Sequence, residues 1–173
     1  MDKNWLDNKT VIVTGASSGM GKGITEKLIK EHGCKVLGVA RSEKKMEALV
    51  AELGEYASQF SYQLFDVSVR ENWENYVAYL NENGIKPDVL INNAGILPKF
   101  DRFEHYSVED IEKAMNINFY SAVYSMHALL PLLLESSSPA IINIDSSAAL
   151  MSLAGTSVYS ASKAALKALT ESM

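Results

Sequence analysis

At 173 residues the chain has the length of one domain, and 47% hydrophobic with 21% charged residues is the composition of a globular protein. A formal net charge of −5 provides no basic surface, which argues against a nucleic-acid partner. The single cysteine, Cys34, excludes an intrachain disulfide, and the N-terminal stretch lacks the apolar core of a signal peptide, so we expect a cytoplasmic protein. The richest apolar run, 128–134, is far too short to span a membrane and is interrupted by Pro131.

Strand-like and helix-like stretches alternate along the chain, with no repeat or linker between them. Short apolar and β-branched runs predict buried strands at 10–14, 35–40, 60–65, 88–92 and 140–145. Helical periodicity and capping residues predict helices at 20–32 with Gly33 as the stop, from a Ser42 cap to Gly54, at 70–83, from a Ser107 cap to 134, and from 158 onward. This alternation predicts an α/β fold, an open parallel sheet with helices on both faces. Ligands of such sheets bind beyond the carboxyl ends of the strands.

The turn after the first strand is rich in glycine and reads TGASSGMG over residues 14–21. Its three glycines let the backbone approach a ligand, and the helix that follows offers free N–H groups and a positive dipole end to a diphosphate. A Walker loop is the competing interpretation, but Ala16 stands where its first glycine belongs and Gly23 where its magnesium-binding Ser or Thr belongs. A plain strand-to-helix turn needs one glycine, so the three favour a diphosphate site.

Tyr159 and Lys163 are four residues apart in the last predicted helix, so they lie on one face of it. Lowering a tyrosine pKa from ~10 by three units requires about 4 kcal/mol. One cation about 4 Å away supplies roughly that much at an effective dielectric of ~20. The pair is therefore a candidate acid/base. The alternative interpretation is an exposed helix whose lysine stem covers apolar surface.

The order and spacing of these motifs resemble those of the short-chain dehydrogenase/reductase family, in its compact single-domain branch. The glycine turn, the sequence Asn92-Asn93-Ala94-Gly95 after the fourth strand, Ser146, and Tyr159-x-x-x-Lys163 carry the resemblance, which covers essentially the whole chain. It implies a Rossmann-like doubly wound sheet of strand order 3-2-1-4-5, with residues 1–173 as a single dinucleotide-binding domain. It also implies hydride transfer between NADP(H) and a carbonyl or secondary alcohol of a small molecule.

The resemblance assigns catalytic roles to four residues. Tyr159 would be the general acid/base, and Lys163 would lower its pKa and bind the nicotinamide ribose. Ser146, thirteen residues before the tyrosine, would bind the substrate oxygen, with Ser147 as its neighbour. Asn118 would hold a water that relays protons through Lys163.

Two positions in this set carry alternatives. The family pattern favours Asn118 over Asn116, although Ser121 replaces the expected glycine, and a buried structural amide is the other interpretation of Asn118. Asp145 precedes Ser146 where the family often has a small residue. Its carboxylate would oppose a developing oxyanion unless it points away.

The resemblance assigns the cofactor to residues that follow the strands: Gly15, Ser17, Ser18, Gly19, Met20, Gly21, Arg41, Asp66, Val67, Asn93, Ala94, Gly95, Tyr159 and Lys163. Ala40 stands where a carboxylate would bind the 2′-hydroxyl of NAD, and the Arg41 guanidinium can clamp a 2′-phosphate. We therefore expect NADP(H) rather than NAD(H). The spacing of the three histidines, His32, His105 and His127, suits no metal site.

Members of the family continue after the tyrosine helix with two more strands and a substrate-covering segment. This sequence ends at Met173, so we expect a truncated or incompletely observed reductase without those later strands. A non-catalytic dinucleotide- or partner-binding fragment is the second hypothesis. We also expect a homodimer or homotetramer through the helix from Ser107, whose apolar Phe119, Val123, Met126 and Leu130 allow an interface, although core packing explains them equally well.

Overall fold

The computed structural model describes residues 4–173, and the first three residues of the N-terminal stretch lie outside it. Five strands form one parallel sheet: β1 Thr10–Thr14, β2 Lys35–Ala40, β3 Phe60–Leu64, β4 Val89–Asn92 and β5 Ala140–Asn143. Their order, β3-β2-β1-β4-β5, confirms the predicted order 3-2-1-4-5. The fifth strand is shorter than the predicted 140–145: the Ile144 N–H still bonds to the Asn92 carbonyl at 2.8 Å, and beyond it the chain turns into a 3₁₀ turn at Ser147–Ala149.

Six α-helices connect or follow these strands: α1 Gly19–His32, α2 Glu43–Leu53, α3 Arg70–Glu82, α4 Val108–Met115, α5 Ser121–Leu133 and α6 Ser157–Ser172. The single helix predicted from Ser107 to residue 134 is wrong in one respect, because a π-turn at Asn116–Tyr120 separates α4 from α5. The hydroxyl of Ser121, the first residue of α5, donates to the Ile117 carbonyl of this wider turn at 2.6 Å. Turns of this kind often lie at functional sites.

The helix boundaries have local causes. Ser107 caps α4 in a reciprocal capping box with Asp110, as predicted. Gly33, at φ 63°, ends α1 by donating its N–H to α1 carbonyls, which confirms the predicted stop. Ser42 precedes α2, but its side chain makes no capping hydrogen bond, so only its position agrees with the prediction.

Two apolar clusters hold the sheet between two helical layers. Alternate residues of β1 supply both clusters, with Val11 and Val13 in the one beneath α1 and α2 and Ile12 in the other. The second cluster packs α3, α5 and α6 against the opposite face and contains the fully buried Trp73. Burying each such large side chain stabilises the fold by about 1.5–3 kcal/mol. None of the helices within residues 4–173 is long and apolar enough to cross a membrane.

Candidate active site

The glycine turn between β1 and α1 is open to solvent at Ser18, Gly19 and Met20. Gly21 is the position where only glycine fits, since a Cβ there would lie 2.3 Å from the Gly15 carbonyl oxygen and 2.4 Å from the Asn93 amide nitrogen. Ser18 makes no side-chain cap, and the first turn of α1 holds no acidic residue. The N–H groups of this helix end are therefore accessible to an anion.

Hydrogen bonds tie the glycine turn to the end of β4. The Thr14 hydroxyl accepts from the Asn93 N–H at 2.9 Å and from the Ala94 N–H at 3.0 Å. The Asn93 side-chain amide donates to the Thr14 carbonyl at 2.9 Å. Asn93 thus joins two strand ends, and Thr14 is a site residue that sequence reasoning missed. The position of Thr14 at a strand end was the available signal.

A cleft of about 170 Å³ runs along the carboxyl ends of β1, β2, β3 and β4. It brings together eight of the predicted cofactor residues, Gly15, Ser17, Ser18, Arg41, Asp66, Val67, Ala94 and Gly95. It also contains four that the sequence did not indicate, Val39, Phe65, Ile96 and Ile117. A larger cavity, of about 710 Å³, lies between α3 and α5 and contains none of the predicted site residues. The smaller cleft is therefore the candidate cofactor site.

One end of the cleft carries paired charges. The Arg41 guanidinium lies 3.5 Å from the Asp66 carboxylate, and 64% of the arginine side chain is exposed. Partial burial raises the pKa of Asp66, but hydrogen bonds from Ser68 and the nearby Arg41 charge outweigh that effect and hold it below the usual value. Asp66 therefore stays ionised, and most of the Arg41 side chain is accessible to a ligand.

The other end of the cleft is Gly95, beside two buried polar side chains. A Cβ on Gly95 would lie 3.4 Å from the Asn118 amide oxygen and 3.7 Å from Lys163 Nζ. Lys163 is only 5% exposed and donates to the Ile144 carbonyl at 2.7 Å. Burial lowers the pKa of Lys163, while the Asp145 carboxylate partly opposes that shift.

Two further predicted catalytic residues lie on α6 and on the segment that precedes it. Tyr159 is half-buried on the same face of α6, one turn before Lys163, and its hydroxyl has no hydrogen-bond partner within residues 4–173. Ser146 lies between β5 and α6, and its hydroxyl accepts from the Ala148 N–H at 3.1 Å. Because that bond uses an acceptor lone pair, the Ser146 proton is free to be donated.

Asn118 occupies the π-turn and is fully engaged with its neighbours. Its amide oxygen accepts from the Ile96 N–H at 2.7 Å. Its amide nitrogen donates to the Ile96 carbonyl at 2.9 Å and to the Ser162 hydroxyl at 3.0 Å. Both N–H donors of the side chain are used, so only a lone pair of its oxygen is left for another group. The side chain joins the loop after β4 to α6.

Asp145 is half-buried, and the sequence interpretation left open whether its carboxylate points away from the substrate oxygen. Its Oδ1 atom is shielded and has no hydrogen-bond donor within the described part of the chain. Asn92, in contrast, does what was predicted and ties β4 to its neighbours, by donating to Asn143 on β5 at 2.9 Å and accepting from Ser125 on α5 at 2.7 Å.

With this geometry established, comparison with known proteins identifies the class. Residues 9–173 match the family model described as short chain dehydrogenase. The chain belongs to the short-chain dehydrogenase family, which confirms the resemblance found in the sequence.

Particular relatives agree with that class. The chain is 36% identical over 156 residues to the NADP-dependent 3-hydroxy acid dehydrogenase YdfG of Shigella flexneri, covering 89% of this chain and 60% of that protein. Serine dehydrogenase from Escherichia coli has a similar structure, with a TM-score of 0.86 and 34% identity over 94% of this chain and 74% of that one. The closed form of serine dehydrogenase complexed with NADP+ also has a TM-score of 0.86, at 34% identity over 94% of this chain and 64% of that one. The chain spans about 60% of the length of the curated relative that it matches.

Proposed function

We propose that the protein is an NADP-dependent oxidoreductase that transfers a hydride between NADP(H) and a carbonyl or secondary alcohol of a small molecule. One observation carries this proposal: the cleft has an exposed helix N-terminus and Arg41 along its length, and the buried Lys163 beside its Gly95 end. An NADP-dependent reductase needs a site for the phosphates and adenine of the cofactor and, at the nicotinamide end, an acid/base group for the substrate. A hydroxy acid, the substrate class in the name of the YdfG relative, is the first candidate for the alcohol.

The turn at Gly15–Gly21 is suited to the cofactor diphosphate. Gly21 allows the start of α1 to lie against the Gly15 carbonyl and the Asn93 side chain, closer than any side chain would permit. The exposed N–H groups of α1 and its positive dipole end would bind the diphosphate. Ser17 and Ser18 line the same cleft, and their hydroxyls can hydrogen-bond to the diphosphate.

Arg41 favours NADP over NAD. The guanidinium would bind the 2′-phosphate, since β2 ends in Ala40 and not in a carboxylate that would bind a 2′-hydroxyl and repel the phosphate. Asp66 accepts from Arg41 at 3.5 Å, a weak bond that a phosphate can replace. Two relatives, the NADP-dependent dehydrogenase YdfG and the serine dehydrogenase solved with NADP+, support this choice.

Tyr159 would be the general acid/base. In the direction of reduction, its phenol donates a proton to the carbonyl oxygen as that oxygen gains charge, and it regains the proton from solvent. When bound, the cofactor supplies the hydride. The Lys163 ammonium, kept in place by the Ile144 carbonyl, stabilises the phenolate that remains.

Ser146 and Asn118 would assist in different ways. The Ser146 hydroxyl donates its free proton to the substrate oxygen and stabilises the charge that develops there. Asn118 acts as a positioning residue, because its hydrogen bonds to Ile96 and Ser162 hold the Gly95 backbone against α6. Its remaining oxygen lone pair can accept from one water, as the relay hypothesis requires.

Substituting Tyr159 with phenylalanine tests the assignment. We expect Tyr159→Phe to bind NADPH as the wild type does and to lose reduction of a ketone panel, followed by NADPH absorbance at saturating cofactor. Tyr79→Phe, a half-buried tyrosine on α3, is the matched control and should keep its activity. A wild-type protein that binds NADPH and reduces no ketone would favour the non-catalytic binding module instead.

A homodimer or homotetramer through α5 is the assembly that we propose, in the cytoplasm. Met126 belongs to the core, at 4% exposed, so it does not contribute to an interface as the sequence allowed. Val123 lines the cavity between α3 and α5, whereas Leu130 and Leu134 are exposed in a second pocket beside β5. Light scattering coupled to gel filtration measures the number of copies, and a monomer would contradict this assembly.

A further inference from the structure

The first turn of α6 carries Tyr159 and has little stabilisation of its own. Thr156, at the N-cap position, makes no side-chain capping bond, and the first turn contains no acidic residue. The end of a helix frays readily without a cap, because its first N–H groups have no partner within the helix. The orientation of Tyr159 therefore depends on what holds this turn from outside.

One segment of the loop after β4, residues 99–106, holds the chain just before α6. The Gly155 carbonyl accepts from the Asp101 N–H at 2.9 Å and from the Tyr106 hydroxyl at 3.2 Å. The Phe100 ring lies against the same residue, since a Cβ on Gly155 would be 3.0 Å from its nearest atom. Gly155 lies four residues before Tyr159, so this contact is next to the catalytic turn.

Tyr106 joins the 99–106 segment to α6 in two ways. Its hydroxyl donates to the Lys99 carbonyl at 2.6 Å, which closes the segment on itself, and shares that proton with the Gly155 carbonyl. Its buried ring belongs to an apolar cluster that contains Val158, the residue directly before Tyr159. The Lys99 ammonium, 4.8 Å from the ring centre, holds the ring from another direction. Tyr106 thus contacts the chain both before α6 and within its first turn.

We propose that Tyr106 is a positioning residue for Tyr159. Its hydroxyl holds Gly155 and its ring holds Val158, so the first turn of α6 keeps the Tyr159 phenol directed at the substrate oxygen. This inference rests on the proposed reductase function and adds a residue that acts through another. A displacement of about 1 Å at a reacting group can lower a rate by up to about 100-fold. Loss of the hydroxyl should therefore reduce kcat and leave cofactor binding unchanged.

Tyr106→Phe tests the hydroxyl, because it keeps the ring in its apolar cluster. We expect kcat for ketone reduction to fall about five- to tenfold, with the ketone KM and the NADPH Kd within about twofold of wild type. Hydrogen exchange of the peptide that contains the first turn of α6, followed by mass spectrometry, should become faster, while β1 and β4 stay unchanged. Tyr76→Phe, which removes the hydroxyl of another buried tyrosine, on α3, should alter neither kcat nor exchange.

Gly155→Ala disturbs the same contact from the other side. Its Cβ would press on the Phe100 ring, and the φ of 85° at this position is strained for any residue except glycine. We expect the same fall in kcat and the same faster exchange as in Tyr106→Phe. If Gly155→Ala does not fold, Tyr106→Phe decides the question, because it adds no atom to the packed structure.

The possible results separate this inference from the function beneath it. An unchanged kcat in Tyr106→Phe would overturn the inference and leave the reductase function intact. A lower kcat with unchanged exchange in the α6 peptide, or with an equal loss of NADPH affinity, would also overturn it, because the hydroxyl would then not act through Tyr159. A wild-type protein that binds NADPH and reduces no ketone would contradict the reductase function itself, and the inference with it.

Discussion

Lys163 Nζ donates a 2.7 Å hydrogen bond to the Ile144 carbonyl oxygen and so joins α6 to the chain just beyond β5. The bond fixes an ammonium group, only 5% exposed, beside Gly95 at the end of the cleft. A flexible lysine on the protein surface would lose most of its electrostatic effect to solvent screening. Buried and held by a carbonyl, Lys163 retains that effect.

The pH dependence of stability should report this burial. The folded state lowers the Lys163 pKa from its ordinary value of 10.5, so the folded protein binds this proton less tightly than the unfolded chain does. The Lys163 contribution to the free energy of unfolding therefore increases as pH rises from the lowered pKa toward 10.5. Urea unfolding should show this rise in the wild type and not in Lys163→Met. Parallel curves for the two proteins would show that the lysine is not buried.

Two of the glycines of α1, Gly21 and Gly23, should respond in opposite directions to alanine. A Cβ at Gly21 would lie 2.3 Å from the Gly15 carbonyl oxygen, whereas a Cβ at Gly23 has no atom within 4 Å. We expect Gly21→Ala to lower the free energy of unfolding by about 1–3 kcal/mol, as overpacking does, and to weaken NADPH binding. Gly23→Ala should raise it by roughly 0.5–1 kcal/mol through helix propensity. Urea titrations of both variants measure these changes, and equal effects would contradict the close approach at Gly21.

The two asparagines of the π-turn provide a second matched pair. Asn118 is 1% exposed and makes three hydrogen bonds through its side chain, whereas Asn116 is exposed. Asn118→Ala leaves the Ile96 N–H buried without a partner, which costs about 1–3 kcal/mol. Thermal unfolding should therefore show a clear loss of stability for Asn118→Ala and almost none for Asn116→Ala. A comparable loss at Asn116 would show that the turn itself, and not the Asn118 bonds, is sensitive.

Arg41 should determine cofactor preference. Losing a charge-assisted hydrogen bond to the 2′-phosphate costs about 1.5–3 kcal/mol, so Arg41→Ala should weaken NADPH binding by roughly 10- to 150-fold. NADH lacks that phosphate, and its affinity should stay within about twofold. Fluorescence titration with each cofactor measures both constants.

Lys30→Ala, which removes an exposed lysine near the C-terminal end of α1, controls for a general change in charge. It should alter neither affinity. An equal loss of NADH affinity in Arg41→Ala would show that the residue supports the cleft and does not select the phosphate.

Much of the fold follows from short stretches of sequence. The run Thr10–Thr14, the glycine stop at Gly33 and the cap at Ser107 were predicted because strand propensity, left-handed glycine and capping depend on neighbouring residues. The spacing of Tyr159 and Lys163 likewise fixes their common face of α6 by helix geometry alone. The parallel sheet order then agrees with the alternation of strands and helices.

Other features depend on contacts between distant parts of the chain. The π-turn places the Asn118 side-chain amide where it hydrogen-bonds to Ile96, 22 residues earlier in the chain, and to Ser162, 44 residues later. The Thr14 hydroxyl accepts a hydrogen bond from the N–H of Asn93, 79 residues away in the chain. The shielding of Asp145 Oδ1 depends on which elements cover it. Sequence periodicity does not encode these pairs, because a hydrogen bond or a shielded carboxylate depends on distances that exist only after the sheet and helices have packed. The sequence alone thus determined the elements and the chemical groups available, while the tertiary structure decided which groups meet and which are shielded from solvent.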